Sequence, residues 1–190
     1  MSRFFVSLWA AALSALIVGG FASAVHAKPV LVRTNMDYPQ GAIVIVNNER
    51  KLYYMMGNGK AMRYPVAVGN RQEIWTGKHV VTMKRKNPTW TSPDTGRTVR
   101  GGPGNPLGVR ALYLGWTLWR IHGTPSTGSI GSAVSNGCIR MFNSDVKDLY
   151  ERVHIGAPVY VIGSKQVATK DIHWGKKLIH QRRSRRVASR

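Results

Sequence analysis

The sequence predicts a mainly β, mostly antiparallel domain, on three observations. Short apolar runs rich in β-branched and aromatic residues recur at close intervals with turn signals between them. Only one stretch carries a helical period, which disfavours a helical bundle. A length of 190 residues suits one modest domain, more so if an N-terminal targeting segment is set aside.

Residues 1–27 read as that segment. Arg3 supplies a positive start, Phe4 to Val18 an apolar stretch, and Val25-His26-Ala27 a small-residue cleavage site before Lys28. Left uncut, the same stretch would act as a signal anchor. Either way the expected location is outside the cytoplasm, in the periplasm or cell envelope. Residues 28–40, with Pro29 and Pro39, read as a lead-in, and 41–163 as the folded domain.

Ala42 to Val46 and Lys51 to Met56 read as a hairpin around Asn47-Asn48, and Gly57-Asn58-Gly59 closes it. A third strand is expected over Ala61 to Val68 and a fourth over Lys78 to Lys84. The proline- and glycine-rich stretch from Asn87 to Leu107 reads as a long surface loop rather than a strand. Its Gly101-Gly102-Pro103-Gly104 lacks the preceding strand, following helix and lysine of a phosphate cradle. Ala111 to Trp116 and Trp119 to His122 are the next strands. Asn143 then caps a helix from Ser144 to Val153, whose Val146, Leu149, Tyr150 and Val153 share one face. Asp145, Asp148 and Glu151 are expected to face solvent. Pro158 to Ile162 is the last strand.

From 164 to 190 lysine and arginine crowd against the single acid Asp171, giving a basic, flexible tail that would adhere to a polyanion. The net charge of +20 points the same way for the whole chain. Export makes anionic envelope polymers the expected partners, and nucleic acid is not expected.

Cys138 is the only cysteine, so no internal disulfide can form. In an exported protein such a residue is either an intermolecular bridge or a reactive thiol, and in any chain it can be a small buried hydrophobe. Its setting, Ser135-Asn136-Gly137-Cys138, is a polar turn, and His122 ends a predicted strand sixteen residues earlier. A thiol beside an imidazole suffices to begin acyl transfer. The other histidines are scattered and no Cys-x-x-Cys pair exists, so neither a zinc site nor any cofactor is expected. Trp90, Tyr113, Trp116 and Trp119 could line a groove or pack in the core.

The runs Ile121-His122-Gly123-Thr124, Ser129-Ile130-Gly131 and Ser135-Asn136-Gly137-Cys138-Ile139-Arg140-Met141 resemble, in order and spacing, the L,D-transpeptidase catalytic domain, also called the YkuD domain. The resemblance extends over about residues 40 to 163 and implies a mixed-sheet β sandwich or barrel-like domain with one or two short helices. It implies Cys138 as nucleophile, His122 as its base and the Gly123 carbonyl as the group orienting the imidazole. Backbone amides around Gly137 and Cys138 would form an oxyanion hole, with Ser135, Asn136, Arg140 and Tyr113 around the substrate and Arg140 on a substrate carboxylate. The implied substrates are peptidoglycan stem peptides, and the acyl acceptor a second stem, an envelope protein or water.

Two positions depart from the family pattern. Asn136 stands where many members have histidine. Trp75-Thr76-Gly77 replaces the usual Thr-Pro-Thr-Gly, a change expected to affect the local loop and no catalytic role.

Overall fold

Ile43–Val46 is buried at every position, because both faces of its sheet are covered. Ile43 and Ile45 enter one core with Leu52, Leu112, Ile121, Met141 and Val159. Val44 and Val46 enter another with Tyr38, Tyr53, Tyr160 and Ile162. Successive side chains on a strand point to opposite faces, so two buried faces require an unbroken apolar run.

The computed structural model describes residues 29–163. The signal segment and the basic tail expected from the sequence therefore lie outside the described residues. Among those described, no helix is long and apolar enough to cross a membrane.

In chain order the strands are β1 (Val30–Arg33), β2 (Ile43–Val46), β3 (Lys51–Gly57), β4 (Lys60–Pro65), β5 (Val68–Gly69), β6 (Gly77–Lys86), β7 (Trp90–Thr91), β8 (Thr98–Val99), β9 (Arg110–Leu114), β10 (Arg120–Gly123), β11 (Ala133–Ser135), β12 (Ile139–Met141) and β13 (Pro158–Ile162). Nine of them form one curled mixed sheet in the order β1-β4-β3-β2-β13-β6-β9-β10-β12. One α-helix, α1 (Asn143–Arg152), and a single 3-10 turn at Thr127–Ser129 complete the regular structure described.

Several expectations are corrected. The ladder is less antiparallel than the residue pattern alone predicts: β2 with β13, β10 with β12 and β5 with β11 run parallel. Those pairings join distant segments, which local periodicity does not encode. The expected strand from Ala61 to Val68 breaks at Pro65, which has no N–H to donate, and Val68–Gly69 leaves the main sheet to pair with β11. In the supposed lead-in, Val30–Arg33 pairs with β4, and Met36 and Tyr38 cover the second core. The loop from Asn87 to Leu107 holds the short hairpin β7–β8. Buried Asn105 pins the rest: its Nδ2 donates to the carbonyls of Val99 and Arg100 at 2.9 Å, and its Oδ1 accepts from the Leu107 N–H at 2.7 Å.

Helix α1 buries Val146, Leu149 and Tyr150 on the expected face. Lys84 reaches its C-terminal end, where the Nζ donates to the carbonyls of Tyr150 and Val153, each at 2.5 Å. Asn143 does not cap the helix. Phe142 occupies the N-cap, and Asn143 uses its Oδ1 to accept from the Val109 N–H at 3.2 Å. Asp145 is fully buried instead of solvent-facing. Asp148 accepts from Tyr64 at 2.6 Å and forms a two-pronged ion pair with Arg152.

Candidate active site

Two parallel strands, β10 and β12, bring the candidate residues together, with Ile121 opposite Ile139 and His122 opposite Arg140. Ile121, Ile139 and Met141 are buried in the core. The two-residue period therefore turns Arg120, His122 and Arg140 to the other face, where Cys138 joins them just ahead of β12. That face walls a cleft of about 310 Å³, which Trp90, Pro106 and Leu107 line from the loop opposite.

His122 is almost wholly buried, and its Nδ1 lies 2.6 Å from the Gly123 carbonyl oxygen. A carbonyl can only accept, so Nδ1 carries the hydrogen and Nε2 is left as a free acceptor. Burial, helped by the Arg140 and Arg120 guanidiniums and opposed by the bond to Gly123, pushes the His122 pKa down to about 4. The ring is therefore neutral at ordinary pH. Residue 123 has no room for a side chain, since a Cβ there would fall 2.2 Å from Asn143 Oδ1.

The Cys138 thiol is partly exposed, and its S–H points to the Leu118 carbonyl at 3.8 Å. The chain on either side of it is held. Ser135, fully buried, donates from Oγ to the Cys138 carbonyl at 2.5 Å. Gly137, at φ +90°, accepts at its carbonyl from the Trp75 indole Nε1 at 2.7 Å. A Cβ at Gly137 would approach Trp119 Nε1 to 2.6 Å, so any other residue would be strained in its backbone and would have to displace that ring.

Of the residues singled out in the sequence, Cys138, His122, Asn136 and Arg140 line the cleft. Gly123, Ser135 and Gly137 hold them from behind. Tyr113 does not line the cleft; it stands on β9 opposite Arg120, whose guanidinium lies 5.1 Å above its ring. Among the aromatics left open, Trp90 faces the cleft, Trp119 packs against the core and Trp116 is fully exposed.

Sequence reading did not single out Arg120, and it gave Trp75 a part in the local loop alone. Arg120 was legible, because a strand that points His122 into a site points the residue two before it the same way. Trp75 was not, since it meets Gly137 across 62 positions of chain. No group of three or more His, Cys, Asp or Glu among the described residues could hold a metal ion.

The curled mixed sheet thus carries a carbonyl-bonded histidine on β10 and a cysteine just ahead of its parallel neighbour β12. Residues 40–161 match the YkuD family, the L,D-transpeptidase catalytic domain, and the chain belongs to that family. It is 36% identical over 137 residues to the "Probable L,D-transpeptidase ErfK/SrfK" of Escherichia coli (strain K12), covering 65% of this chain and 44% of that protein. To the "Probable L,D-transpeptidase YbiS" of the same strain it is 36% identical over 152 residues, covering 71% and 49%. The chain thus spans about half the length of these curated relatives.

Among solved structures, the fold is similar to an Enterococcus faecium L,D-transpeptidase mutant (TM-score 0.55, 20% identity, 66% of this chain and 50% of that one). It is also similar to an L,D-transpeptidase from Mycobacterium smegmatis (TM-score 0.53, 19% identity, 63% and 57%).

Proposed function

We propose that this chain is an exported peptidoglycan L,D-transpeptidase that works through a thioester on Cys138. The observation that carries the reading is the meeting of Cys138 with a neutral, tautomerically fixed His122 in one cleft of a domain from this family.

In the proposed cycle Cys138 sulfur attacks the carbonyl of the diaminopimelate residue in a tetrapeptide stem, and His122 Nε2 takes the thiol proton. Burial disfavours the imidazolium at rest, so the proton moves during attack and not before it. The same low affinity for the proton makes the imidazolium a good donor: it protonates the leaving D-alanine nitrogen as the C–N bond breaks. The side-chain amine of a second stem then attacks the thioester, gives up a proton to His122 and releases the thiol. The product is a 3-3 cross-link. An amine on an envelope protein would give a protein tether by the same step, and water would give a tripeptide. Arg140, with Arg120 beside it, supplies the positive charge suited to a substrate carboxylate. The basic tail is proposed to hold the enzyme on anionic envelope polymers.

The test is incubation of the purified chain with disaccharide tetrapeptide, followed by mass spectrometry. The proposal expects a thioester adduct on Cys138 and a cross-linked dimer or tripeptide, all lost in Cys138→Ala. No adduct and no product, or identical behaviour of the variant, would overturn it. The second reading, a non-catalytic cationic wall-binding module, is motivated by the net charge of +20. It expects removal of 164–190 to abolish retention on isolated sacculi while Cys138→Ala changes nothing.

A further inference from the structure

We infer that Trp75 is a positioning residue for acyl transfer, holding the peptide between Gly137 and Cys138 so that the Cys138 N–H faces the cleft as an oxyanion donor. The inference rests on the transpeptidase reading above and adds to it a residue from one of the two places where the chain departs from the family pattern.

A trans peptide is planar, and its C=O and N–H point in opposite directions. No cis peptide occurs among the described residues. The Gly137 carbonyl points at the Trp75 indole, 2.7 Å away, so the Cys138 N–H in the same plane points away from that indole. Trp75 is half-buried, packs against the buried cluster and does not line the cleft. Cys138 lines the cleft. The orientation of one N–H is thereby set by a bond on the opposite side of the peptide.

This peptide needs such a lock. Gly137 is the most permissive residue available and sits at φ +90°; an unheld glycine peptide could rotate and turn its carbonyl to the cleft. The lock is itself rigid. The Trp75 ring stacks on Trp119 with centroids 4.2 Å apart and planes within 3°. The His79 ring closes edge-on against both, at 5.0 and 5.6 Å. The Trp75 backbone is tied as well, its carbonyl accepting from Nδ2 of buried Asn47 at 2.8 Å. With Ser135 Oγ on the Cys138 carbonyl, both carbonyls flanking the nucleophile are held by side-chain donors. A hydrogen bond to a peptide carbonyl also polarises the unit and makes its N–H a stronger donor.

The test separates oxyanion formation from thiol placement. Trp75→Phe keeps a ring for the stack and removes the N–H. Acylation by disaccharide tetrapeptide, followed as adduct mass against time, is expected to slow about 10–100-fold, less than or equal to the loss of one whole oxyanion donor. Binding of the peptide should change less than about twofold, since the interaction belongs to the transition state. Alkylation of Cys138 by iodoacetamide, a displacement at carbon that develops no oxyanion, should proceed at the wild-type rate. Equal acylation rates in wild type and variant, or parallel loss of acylation and alkylation, would overturn the inference. Should Trp75→Phe fail to fold, benzothienylalanine at position 75 keeps the shape of the ring system without its N–H and answers to the same outcomes. An unreactive wild type would instead overturn the transpeptidase reading, and this inference with it.

Discussion

Burial of His122 ties the stability of the domain to pH in a way that can be worked out in advance. In the unfolded chain the imidazole titrates near 6.5, and in the fold near 4. A lowered histidine pKa means that the unfolded state binds the proton more readily. Stability is therefore fully present above pH 6.5 and declines as pH falls from 6.5 toward 4, where the folded protein too takes up the proton. A gap of 6.5 to about 4 corresponds to about 3 kcal/mol, lost at up to roughly 1.4 kcal/mol per pH unit. The perturbation is His122→Gln, which removes the titration while leaving a side-chain N–H for the Gly123 carbonyl. The assay is urea unfolding of both proteins at half-unit steps from pH 4 to 7.5. His79, also lowered by burial, contributes to both curves and cancels in their difference. The difference should be flat above 6.5 and fall by about 3 kcal/mol by pH 4. A flat difference throughout, or an imidazole assigned to His122 by NMR that titrates near 6.5, would refute the burial argument.

Further consequences follow from the same geometry. The acid limb of kcat/KM on a stem-peptide substrate should lie near pH 4 and not near 6.5, because His122 stays neutral down to about 4; an inflection at 6.5 would contradict it. Gly137→Ala places a Cβ 2.6 Å from Trp119 Nε1 at φ +90°, and should cost on the order of 2 kcal/mol in urea unfolding as well as slowing acylation. Asn143→Ala removes the acceptor for the Val109 N–H. It should cost about 1–2 kcal/mol and raise KM, because the loop it anchors carries Pro106 and Leu107 into the cleft. Cys138→Ala should abolish adduct formation while leaving the urea midpoint near that of wild type, since the thiol is partly exposed and donates only a long contact to Leu118.

The sequence by itself determined the elements and the contacts that reside in neighbouring residues. The hairpin over Ile43–Gly57, the apolar face of α1 and the His122-Gly123 and Ser135-to-Met141 runs were legible because each depends on residue types a few positions apart. Even the bond from His122 to the Gly123 carbonyl, expected from the family resemblance, spans adjacent residues. Tertiary structure alone decided what depends on distant segments: the parallel pairing of β10 with β12, the burial that drives His122 toward a pKa of about 4, and the recruitment of Trp75 to Gly137. Asn143 shows the boundary between the two. Local propensity favoured it as a helix cap, but a buried Val109 N–H across 34 positions offered a partner that no local pattern could announce. Desolvation and long-range hydrogen bonding arise from the whole packed chain, so a residue's neighbours in sequence carry no record of them.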